Sequence, residues 1–386
     1  DVSLVGSEMC IRDRIKVLHI LNLVGGVEIC FRQICENIDT SIIETSIVCQ
    51  KLVSKSKLVT SKGEEIISFS IPIAREINPI FDLFSIIKLI FLINKTKPDV
   101  IHAHSAKAGV IARIASFFFK IKVLYTPHAF SYLSANSKFK RFLFLIVEKI
   151  LRTKNTIVLA TSNSEKNQAI HTVGFDQKKV FVLQNAINLK TIAEDKVLEK
   201  TLKGKTYICT VGRPSFQKNL EMLIRAFEIV VQNNNRVHLF IIGAGEYSPR
   251  KDKIINMVNN KKLNARITIL PWISRKKVQT YIKNAKLYVS SSRYEGMPYS
   301  VIESMALSTP SVLTNTDGNR DLVINKKSGF LVDICDDVQM ANKITTLLND
   351  TKLRNKFGLQ ANRLFIQNHL LSDYLKKLTT HYQTNT

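Results

Sequence analysis

Cysteine, tryptophan and acidic residues are scarce in this chain of 386 residues. The six cysteines include no Cys-x-x-Cys pair and are too few for a disulfide scaffold, so we expect reduced thiols that pack as small apolar groups. No apolar run reaches the roughly 18 residues that a membrane-spanning helix needs. The hydrophobic content of 45% excludes a disordered chain, and the length predicts two domains.

Acidic residues are few in relation to basic ones, because 31 Asp and Glu face 56 Lys and Arg and leave a net charge of +25. The excess is spread over both halves of the chain and forms no basic tract. Such a charge attracts anions, and nucleic acid, acidic phospholipid and phosphorylated substrates all qualify. Charge alone therefore predicts an anionic ligand without choosing among these classes.

The first fourteen residues, DVSLVGSEMCIRDR, follow neither the layout of a signal peptide nor the period of a strand or helix. They resemble a translated adapter from a sequence assembly, and we set residues 1–14 apart from the fold. We expect the natural chain to begin near Ile15, where IKVLHILN has the composition of a buried strand.

Short apolar strands alternate with amphipathic helices from Lys16 onward, in one array that ends near Leu183 and a second that starts at Tyr207. The expected strands include Val100–His104, Tyr207–Val211 and Leu287–Ser290, and Asp336–His369 is expected to be helical. This alternation predicts parallel sheets covered on both faces. Two doubly wound domains of this kind place a ligand cleft between the carboxyl ends of their sheets. The expected divisions are a first domain at 15–188, a linker at 189–205, a second domain at 206–365 and a C-terminal helix at 366–386.

The segment SSSRYEGMPYSVIESMALSTPSVLTNTDG, from Ser290 to Gly318, carries the most chemistry. A strand ends at the serines, a loop with a glycine follows, and Pro298 is expected at the first helical position, where its missing N–H costs no hydrogen bond. The amides of the next three residues then lack helical partners and form a phosphate site. These residues are Tyr299, Ser300 and Val301.

Two carboxylates flank this expected anion site, Glu295 in the loop and Glu303 about one turn into the helix. Carboxylates beside an anion suit hydrogen bonds from neutral hydroxyls, and a sugar joined to a phosphate offers both groups. A capping Glu with a second, solvated Glu is the alternative, which either residue alone would favour.

Cations follow the first strand of the second array, where VGRPSFQKNL places Arg213 and Lys218 five positions apart. They could converge on a diphosphate, Arg as a fork and Lys as a point charge, although loop cations are often only solvated. Glycines that follow strands, at Gly25-Gly26 and at Gly243, allow a ligand to approach the backbone closely.

Three histidines lie at expected strand ends, His102 and His104 in IHAHSAKAG and His128 in YTPHAFSYL. A metal site is disfavoured, because no carboxylate or cysteine stands close to the His-x-His pair in the sequence. We expect hydrogen bonds to a sugar or a phosphate, above all from His128. Structural histidines of the core are the alternative.

Together, YEGMPYSVIESMA, GRPSFQKN, YTPHAFSYL, LATSNSEKN and TDGNRDLV resemble the retaining group 1 glycosyltransferases of family 4, as in bacterial capsule, O-antigen and exopolysaccharide synthesis. The resemblance spans about Ile15 to Tyr382. It implies the GT-B fold, in which two Rossmann-like α/β domains with doubly wound parallel sheets face each other and the last helix crosses back to the first domain. It also implies transfer of a sugar from a nucleotide sugar, with UDP as the usual carrier, to an acceptor hydroxyl.

The resemblance further implies a role for each motif residue. Arg213 and Lys218 would hold the donor diphosphate. Glu303 would bind the ribose, and Glu295 and His128 would contact the transferred sugar. The remaining donor residues would be Gly26, Gly243, Trp272, Gly296, Met297, Pro298, Tyr299, Ser300 and Val301, and those of the acceptor side Gly25, His104 and Lys107. No metal or other cofactor is implied, because the cations and the helix start would stabilise the leaving phosphate.

The implied acceptor is a lipid-linked saccharide of the polyprenyl-diphosphate type. The chain would then be cytoplasmic and peripheral on the inner face of the membrane. Two segments of the first domain, Pro79–Lys97 and Lys138–Lys154, combine basic and apolar residues and would form a patch for an anionic membrane surface. The alternative is that both helices use their apolar faces only to cover the sheet.

Two other functions stay open at this point. A nucleotide-sugar epimerase could share the two-domain architecture and would convert the donor without an acceptor. A nucleic-acid-binding protein fits the charge, but the sequence has neither a recognition motif nor basic and aromatic residues interleaved on one surface. Nucleic acid is therefore not expected as a partner.

Overall fold

The computed structural model describes most of the chain in six stretches. They are residues 14–50, 57–73, 78–135, 137–234, 236–245 and 248–384. The segment that the sequence sets apart, residues 1–14, lies outside the described residues except for Arg14.

The first half of the chain builds a sheet of seven parallel strands in the order β3-β2-β1-β4-β5-β6-β7. Its strands are β1 (Ile15–Ile20), β2 (Ile43–Cys49), β3 (Ile67–Ser70), β4 (Val100–His104), β5 (Lys122–Thr126), β6 (Thr156–Ala160) and β7 (Val180–Val182). Its helices are α1 (Gly26–Cys35), α2 (Pro79–Thr96), α3 (Ala106–Ser116), α4 (Lys138–Ile150) and α5 (Asn163–Asn167).

The second half repeats the plan with six parallel strands in the order β10-β9-β8-β11-β12-β13. Its strands are β8 (Tyr207–Val211), β9 (His238–Ile242), β10 (Ile267–Leu270), β11 (Leu287–Ser290), β12 (Ser311–Thr314) and β13 (Gly329–Val332). The helices are α6 (Lys196–Leu202), α7 (Leu220–Asn233), α8 (Lys251–Asn260), α9 (Arg275–Asn284), α10 (Tyr299–Ala306), α11 (Asn319–Leu322), α12 (Asp337–Asn349), α13 (Thr351–Asn368) and α14 (Leu371–Gln383).

Both sheets reverse their strand order beside the first strand, between β1 and β4 and between β8 and β11. The expected doubly wound α/β architecture is therefore confirmed. Central strands such as β4 and β11 are buried along their whole length, because helices cover both faces of each sheet. A ligand cleft in such a fold lies beyond the carboxyl ends of the strands, next to these reversal points.

The last helix, α14, returns to the first sheet, as expected. The hydroxyl of its Tyr382 lies 2.8 Å from Nδ1 of His102 on β4, and Lys122 of β5 donates a hydrogen bond to the carbonyl of His381 at 2.6 Å. A lysine that binds the last carbonyls of a helix is favoured by the helix dipole. The sheet of the first half therefore closes against residues more than 250 positions away.

Three regions differ from a simple reading of the sequence. The helical stretch near the C-terminus is divided at Asp350, whose side chain caps α13 by accepting from the amide of Leu353 at 2.8 Å. The polar segment expected as a linker contains α6, whose Leu202 is buried, so part of it packs as structure. After α5 the chain continues as one wide π-helical turn at Gln168–Val173.

Candidate active site

The loop between β11 and α10 has the expected shape, with a shift of one residue at the helix start. Pro298 caps α10 with extended backbone, so the first helical residue is Tyr299. The expectation that three amides are open is wrong for Val301, which donates to the carbonyl of Pro298 at 3.1 Å and closes a tight first turn. Among the described residues, the amides of Tyr299 and Ser300 have no hydrogen-bond partner.

Glu295 is buried in the same loop and lies against the cation loop that follows β8. Its Oε1 accepts from Lys218 Nζ at 2.7 Å and from the hydroxyl of Ser292 at 2.7 Å. Its Oε2 accepts from the side-chain amide nitrogen, Nε2, of Gln217 at 3.2 Å. The structure therefore brings together an acid and a cation that are 77 positions apart in the chain.

Glu303 is also buried, and two residues of α9 hold it. Its Oε1 accepts from Arg275 Nε at 2.8 Å and from Gln279 Nε2 at 3.3 Å. Both partners were missed from the sequence, because nothing in RKKVQTYIKN marks which face of α9 meets α10. Arg275 Nη2 is buried without a hydrogen-bond partner among the described residues. It can therefore donate a hydrogen bond to a ligand that binds beside this pair.

Close backbone packing surrounds the two cations of the cleft. Gly212 has φ 154°, and a Cβ placed there would lie 2.8 Å from Cε of Lys218. A Cβ at Gly243 would lie 3.3 Å from the Gly212 carbonyl carbon, and the Gly243 carbonyl accepts from the indole of Trp272 at 2.9 Å. Half-buried Arg213 follows Gly212 directly. Gly212 thus leaves room beside the Lys218 side chain, and Gly243 lets the loop after β9 approach the backbone of Gly212.

The turn that carries His128 reaches across from the first half to this loop. A Cβ at Gly296 would lie 2.9 Å from the amide nitrogen of Ala129, so only glycine allows the approach. His128 and Ala129 have φ of 52° and 79°, a left-handed conformation that is costly for residues with a Cβ. Glu165 holds this strained turn, since its Oε1 accepts from the Ala129 amide at 2.7 Å.

Other hydrogen bonds across the cleft reinforce this approach. The amide of Ser164 on α5 donates to Asp321 Oδ1 at 3.1 Å, and the side chain of Gln168 donates to Asp317. The carbonyl of Met297 accepts from Asn185 Nδ2 at 2.8 Å. The two halves are therefore joined directly beside the loop that precedes α10.

His104, expected on the acceptor side, lies in a buried row of histidines. His104 Nε2 lies 3.1 Å from Nδ1 of His19 on β1, and its ring stacks on that of His128 at 5.8 Å between centroids. No cysteine is close to these histidines in the sequence, but the argument against a metal site that used this fact fails, because the fold brings one near them. Cys30 of α1 brings its ligand atom within 4.8 Å of those of His104 and His128.

The other residues expected on the acceptor side are placed at the edges of this region. Gly25 has φ 63° and caps α1, a left-handed conformation that glycine adopts without strain. A Cβ at Gly26 would lie 3.6 Å from the ring of Tyr299, so the start of α1 faces the start of α10. Lys107 forms an ion pair with Asp82 of α2 at 2.7 Å, which ties it to that helix.

Burial keeps the histidines of this region uncharged at neutral pH. Removal from water lowers the pKa of His128 to about 4 and that of His19 to about 3. Burial also lowers the pKa of His102 and His104, and the neighbouring imidazoles add to the effect. These side chains can therefore act as neutral hydrogen-bond partners or ligands rather than as cations.

Glu165 is the functional residue that the sequence reading missed most clearly. Ser162 and Glu165 have the spacing of a capping box, and the hydroxyl of Ser162 accepts from the Glu165 amide at 3.0 Å. The carboxylate turns away from the cap instead, to the Ala129 amide and to the amide of Thr161 at 2.6 Å. The Ser-x-x-Glu pattern was the available signal, but it predicts a helix start and not a contact with another loop.

Two family models match the chain one after the other. Residues 24–191 match "Glycosyltransferase Family 4" and residues 192–364 match "Glycosyl transferases group 1". The chain is 26% identical over 353 residues to the UDP-Gal:alpha-D-GlcNAc-diphosphoundecaprenol alpha-1,3-galactosyltransferase of Escherichia coli, an alignment that covers 88% of this chain and 89% of that protein.

A second relative and a solved structure agree with these matches. The capsular polysaccharide biosynthesis glycosyltransferase CapM of Staphylococcus aureus is 30% identical over 317 residues, which are 78% of this chain and 82% of that protein. The structure of sucrose-phosphate synthase from Thermosynechococcus elongatus superimposes with a TM-score of 0.83 at 19% identity, over 96% of this chain and 98% of that one. At that identity the likeness shows the shared fold.

Proposed function

The chain belongs to the group 1 glycosyltransferases of family 4, and from this membership we propose that it moves a hexosyl or N-acetylhexosaminyl group from a UDP-sugar to a lipid-linked saccharide during surface-polysaccharide assembly. Two relatives support the donor and acceptor classes. The Escherichia coli relative is named for UDP-Gal and a diphosphoundecaprenol acceptor, and the Staphylococcus aureus relative for capsule synthesis. These names describe transferases, which favours transfer over the epimerase alternative.

One observation carries the proposal most directly, the contact of Lys218 with Glu295 beside the open start of α10. The lysine keeps a fifth of its side-chain surface exposed, whereas Glu295 is buried and bonded by Ser292 and Gln217. A donor diphosphate can therefore bind the Lys218 ammonium while Glu295 keeps its neutral donors. The amides of Tyr299 and Ser300 supply the matching anion site on the other side.

We propose the remaining donor contacts from the resemblance to the family. Glu303 offers its second oxygen to the ribose, and Trp272 with Gly243 borders the nucleobase. Arg213 joins Lys218 at the diphosphate. The loop of Glu295, Gly296 and Met297 lines the transferred sugar, and His128 reaches that sugar from the opposite half.

In the proposed reaction, an acceptor hydroxyl attacks the anomeric carbon on the face from which UDP departs, so that the configuration is retained. The bond from the anomeric carbon to the acceptor oxygen forms as the bond to the phosphate oxygen breaks, and the departing phosphate oxygen takes the acceptor proton. Lys218, Arg213 and the start of α10 stabilise the charge that grows on UDP. Because His128 is neutral, it acts as a hydrogen-bond partner. We propose that the transfer needs no metal.

A binding experiment tests the donor site. UDP-sugars are titrated into the protein and into the variants Lys218→Ala and Glu303→Gln, by calorimetry and by the emission of Trp272, the one tryptophan of the chain. We expect each variant to weaken donor binding about tenfold or more, because each loses a hydrogen bond to a charged group.

The control for this experiment is Glu228→Gln. Glu228 forms a half-buried ion pair with Lys261 between α7 and α8, in the same half of the chain. This variant should bind the donor as the unchanged protein does. Wild-type donor affinity in both site variants, with unchanged melting temperatures, would remove the site assignment.

We further propose that α2, the end of α3 and α4 bind the inner face of an anionic membrane. The alternative reading, in which these apolar side chains cover the sheet, does not fit their exposure. On α4, Phe139, Phe142 and Ile150 are 70%, 61% and 74% exposed, while the buried residue of that helix is Glu148. Exposed apolar residues of α2 and of the turn that follows α3 extend the surface, and they include Ile80, Phe81, Leu83, Phe84, Phe91, Phe117 and Phe118.

Basic side chains surround these apolar ones and include Lys138, Lys140, Arg141, Lys149, Arg152 and Lys154. Each basic residue close to an anionic surface contributes about 1 kcal/mol of attraction, and the apolar side chains add burial. Among the described residues, no helix combines the length and the apolarity that a bilayer crossing needs. The exposed apolar side chains and their basic neighbours lead us to propose attachment along a surface formed by the sides of helices.

Flotation with vesicles tests this attachment. We expect binding to vesicles with anionic phospholipid at low salt, weaker binding at high salt, and little binding to zwitterionic vesicles. Phe142→Glu should reduce binding on the order of tenfold, since it removes an apolar contact and adds repulsion. Leu359→Glu is the control, because Leu359 is 61% exposed on α13 in the other half. Binding that ignores salt, or equal losses in both variants, would contradict the model.

A further inference from the structure

Four side chains beside the turn of His128 have unused ligand capacity, three of them buried and His128 itself half-buried. Cys30, His104 and His128 each place one ligand atom within 4.8 Å of the others. Nδ1 of His104 and Nε2 of His128 are shielded from water and have no hydrogen-bond partner among the described residues. Buried nitrogens without a partner are uncommon, because each costs the protein its lost hydrogen bond with water. The fourth side chain, His19, forms a hydrogen bond with the other ring nitrogen of His104.

We propose that Cys30, His104 and His128 form a binding site for a soft divalent cation of the Zn²⁺ class, with a fourth position open to the cleft. One thiolate and two imidazoles are ligands that zinc prefers, and three protein ligands with one open position are a recurrent zinc arrangement. Tetrahedral zinc holds its ligand atoms roughly 3.5 Å apart. Side-chain rotations that move the ligand atoms by about 1 Å would therefore bring them to this separation.

The bond between His19 and His104 fits this role. Histidines that bind metals usually give their second ring nitrogen to another group, which fixes the tautomer and orients the ring. His104 can donate from Nε2 to Nδ1 of His19 at 3.1 Å, which leaves the lone pair of its Nδ1 for a metal.

A second trio, His19, His102 and His104, is equally compact, but its member His102 is already satisfied. His102 has both ring nitrogens engaged, with the hydroxyl of Tyr382 at 2.8 Å and with that of Thr126 at 3.0 Å. A cation bound by either ring nitrogen of His102 would break one of these bonds. By contrast, Cys30 gives up only weak thiol contacts, with the hydroxyl of Tyr374 at 3.7 Å and with the side chain of Tyr299.

The consequence rests on the proposed function, because His128 is the residue expected to contact the donor sugar. A cation that holds His128 takes its ring away from the sugar, and the bound ion occupies the floor of the cleft. Zn²⁺ should therefore inhibit transfer and act against the donor, while the transfer itself proceeds without a metal.

Cobalt spectroscopy tests the site without any enzyme assay. Untagged protein is titrated with Co²⁺ under argon, and a bond between cobalt and the Cys30 thiolate gives a near-ultraviolet charge-transfer band. We expect one equivalent to bind, Zn²⁺ to displace it, and Cys30→Ser to lose the band with metal affinity lower on the order of 100-fold, since loss of an outer-shell partner alone costs about 10- to 100-fold. Cys35→Ser should keep the band, because Cys35 lies on the same helix with its thiol toward the Arg32 carbonyl.

The outcomes separate the two proposals. Absence of the band in the unchanged protein, or an equal band in Cys30→Ser, overturns the metal site whatever the protein catalyses. A band that depends on Cys30 supports the site, and inhibition by Zn²⁺ that is lost in Cys30→Ser supports its position beside the donor. If the band depends on Cys30 but Zn²⁺ does not change donor binding, the metal site stands and the assignment of His128 to the donor sugar fails.

Discussion

Two short ion pairs of this protein look alike and differ in how completely the fold encloses and satisfies them. Arg113 and Glu148, which lie 2.8 Å apart, have side chains only 0% and 1% exposed. Arg113 also donates to the carbonyls of Gly109 and Leu151, and the second oxygen of Glu148 accepts from the hydroxyl of Tyr125. Each side-chain nitrogen of Arg113 and each carboxylate oxygen of Glu148 therefore has a hydrogen-bond partner within the protein.

The pair in the cleft, Lys218 and Glu295, is equally short at 2.7 Å but is incomplete. Lys218 is 20% exposed, and an ammonium has three donors to satisfy. Because the charge is not enclosed, an incoming diphosphate can share the lysine without emptying a buried site. The comparison teaches that a buried ion pair with all its hydrogen bonds made is costly to break, whereas one with an exposed donor can exchange partners with a ligand.

The largest effect is expected from a substitution that breaks the fully hydrogen-bonded pair of Arg113 and Glu148. Glu148→Ala leaves the Arg113 guanidinium buried without its counter-charge, and loss of one partner from such a pair costs about 3–5 kcal/mol. We expect the free energy of unfolding in urea to fall by this amount. The turnover of the molecules that remain folded should stay close to that of the unchanged protein.

A double variant sharpens this result. Replacing both partners by apolar residues of similar size, Arg113→Met with Glu148→Leu, removes the unpaired charge and should recover most of the lost stability. A double variant as unstable as Glu148→Ala would show that hydrogen bonds other than the ion pair hold α3, α4 and β5 together.

The second largest effect is expected from a substitution that breaks the partly exposed pair of Lys218 and Glu295. Lys218→Ala should lower the rate of sugar transfer about 10²- to 10³-fold, or about 2.7–4 kcal/mol, as loss of one group that stabilises developing charge typically does. The melting temperature should change little, because Glu295 keeps Ser292 and Gln217 as donors. Steady-state transfer assays and thermal unfolding measure the two quantities.

Lys283→Ala is the matched control for Lys218→Ala. Lys283 pairs with Glu194 at the surface, so its loss should leave both the transfer rate and the melting temperature nearly unchanged. A large loss of stability in Lys218→Ala would place the cleft pair in the same class as the pair of Arg113 and Glu148.

Much of the fold could be predicted from the sequence, because it depends on local patterns. Apolar runs between polar segments placed β4, β8 and β11 at their observed residues, and buried parallel strands have no other common composition. The kind of chemistry was also visible, since Glu295 and Lys218 stand in loops that follow strands. Their direct contact was not, because a spacing of 77 residues carries no information about distance in space.

The same limit explains the failures at the cleft. Cys30 belongs to a helix whose sequence shows only an apolar face, and its approach to His104 depends on how α1 packs over β1 and β4. Val301 was expected to have an open amide, but the tight turn after Pro298 is a matter of backbone angles that proline alone does not determine. Contacts between elements decide both features, and single-sequence patterns do not encode them.

The smallest effect tests what happens to a buried ionisable group without a charged partner. His369 is buried and bonded through Nδ1 to the carbonyl of Asn185 at 2.9 Å, and burial lowers its pKa below the usual 6.5. Below pH 6.5 the unfolded chain therefore binds a proton that the folded chain does not, and stability falls as the pH falls, by up to about 1.4 kcal/mol per pH unit. His369→Asn keeps a donor for Asn185 and should flatten the curve of unfolding free energy against pH by this slope. Parallel curves for the two proteins would show that the folded protein accommodates the charge on His369.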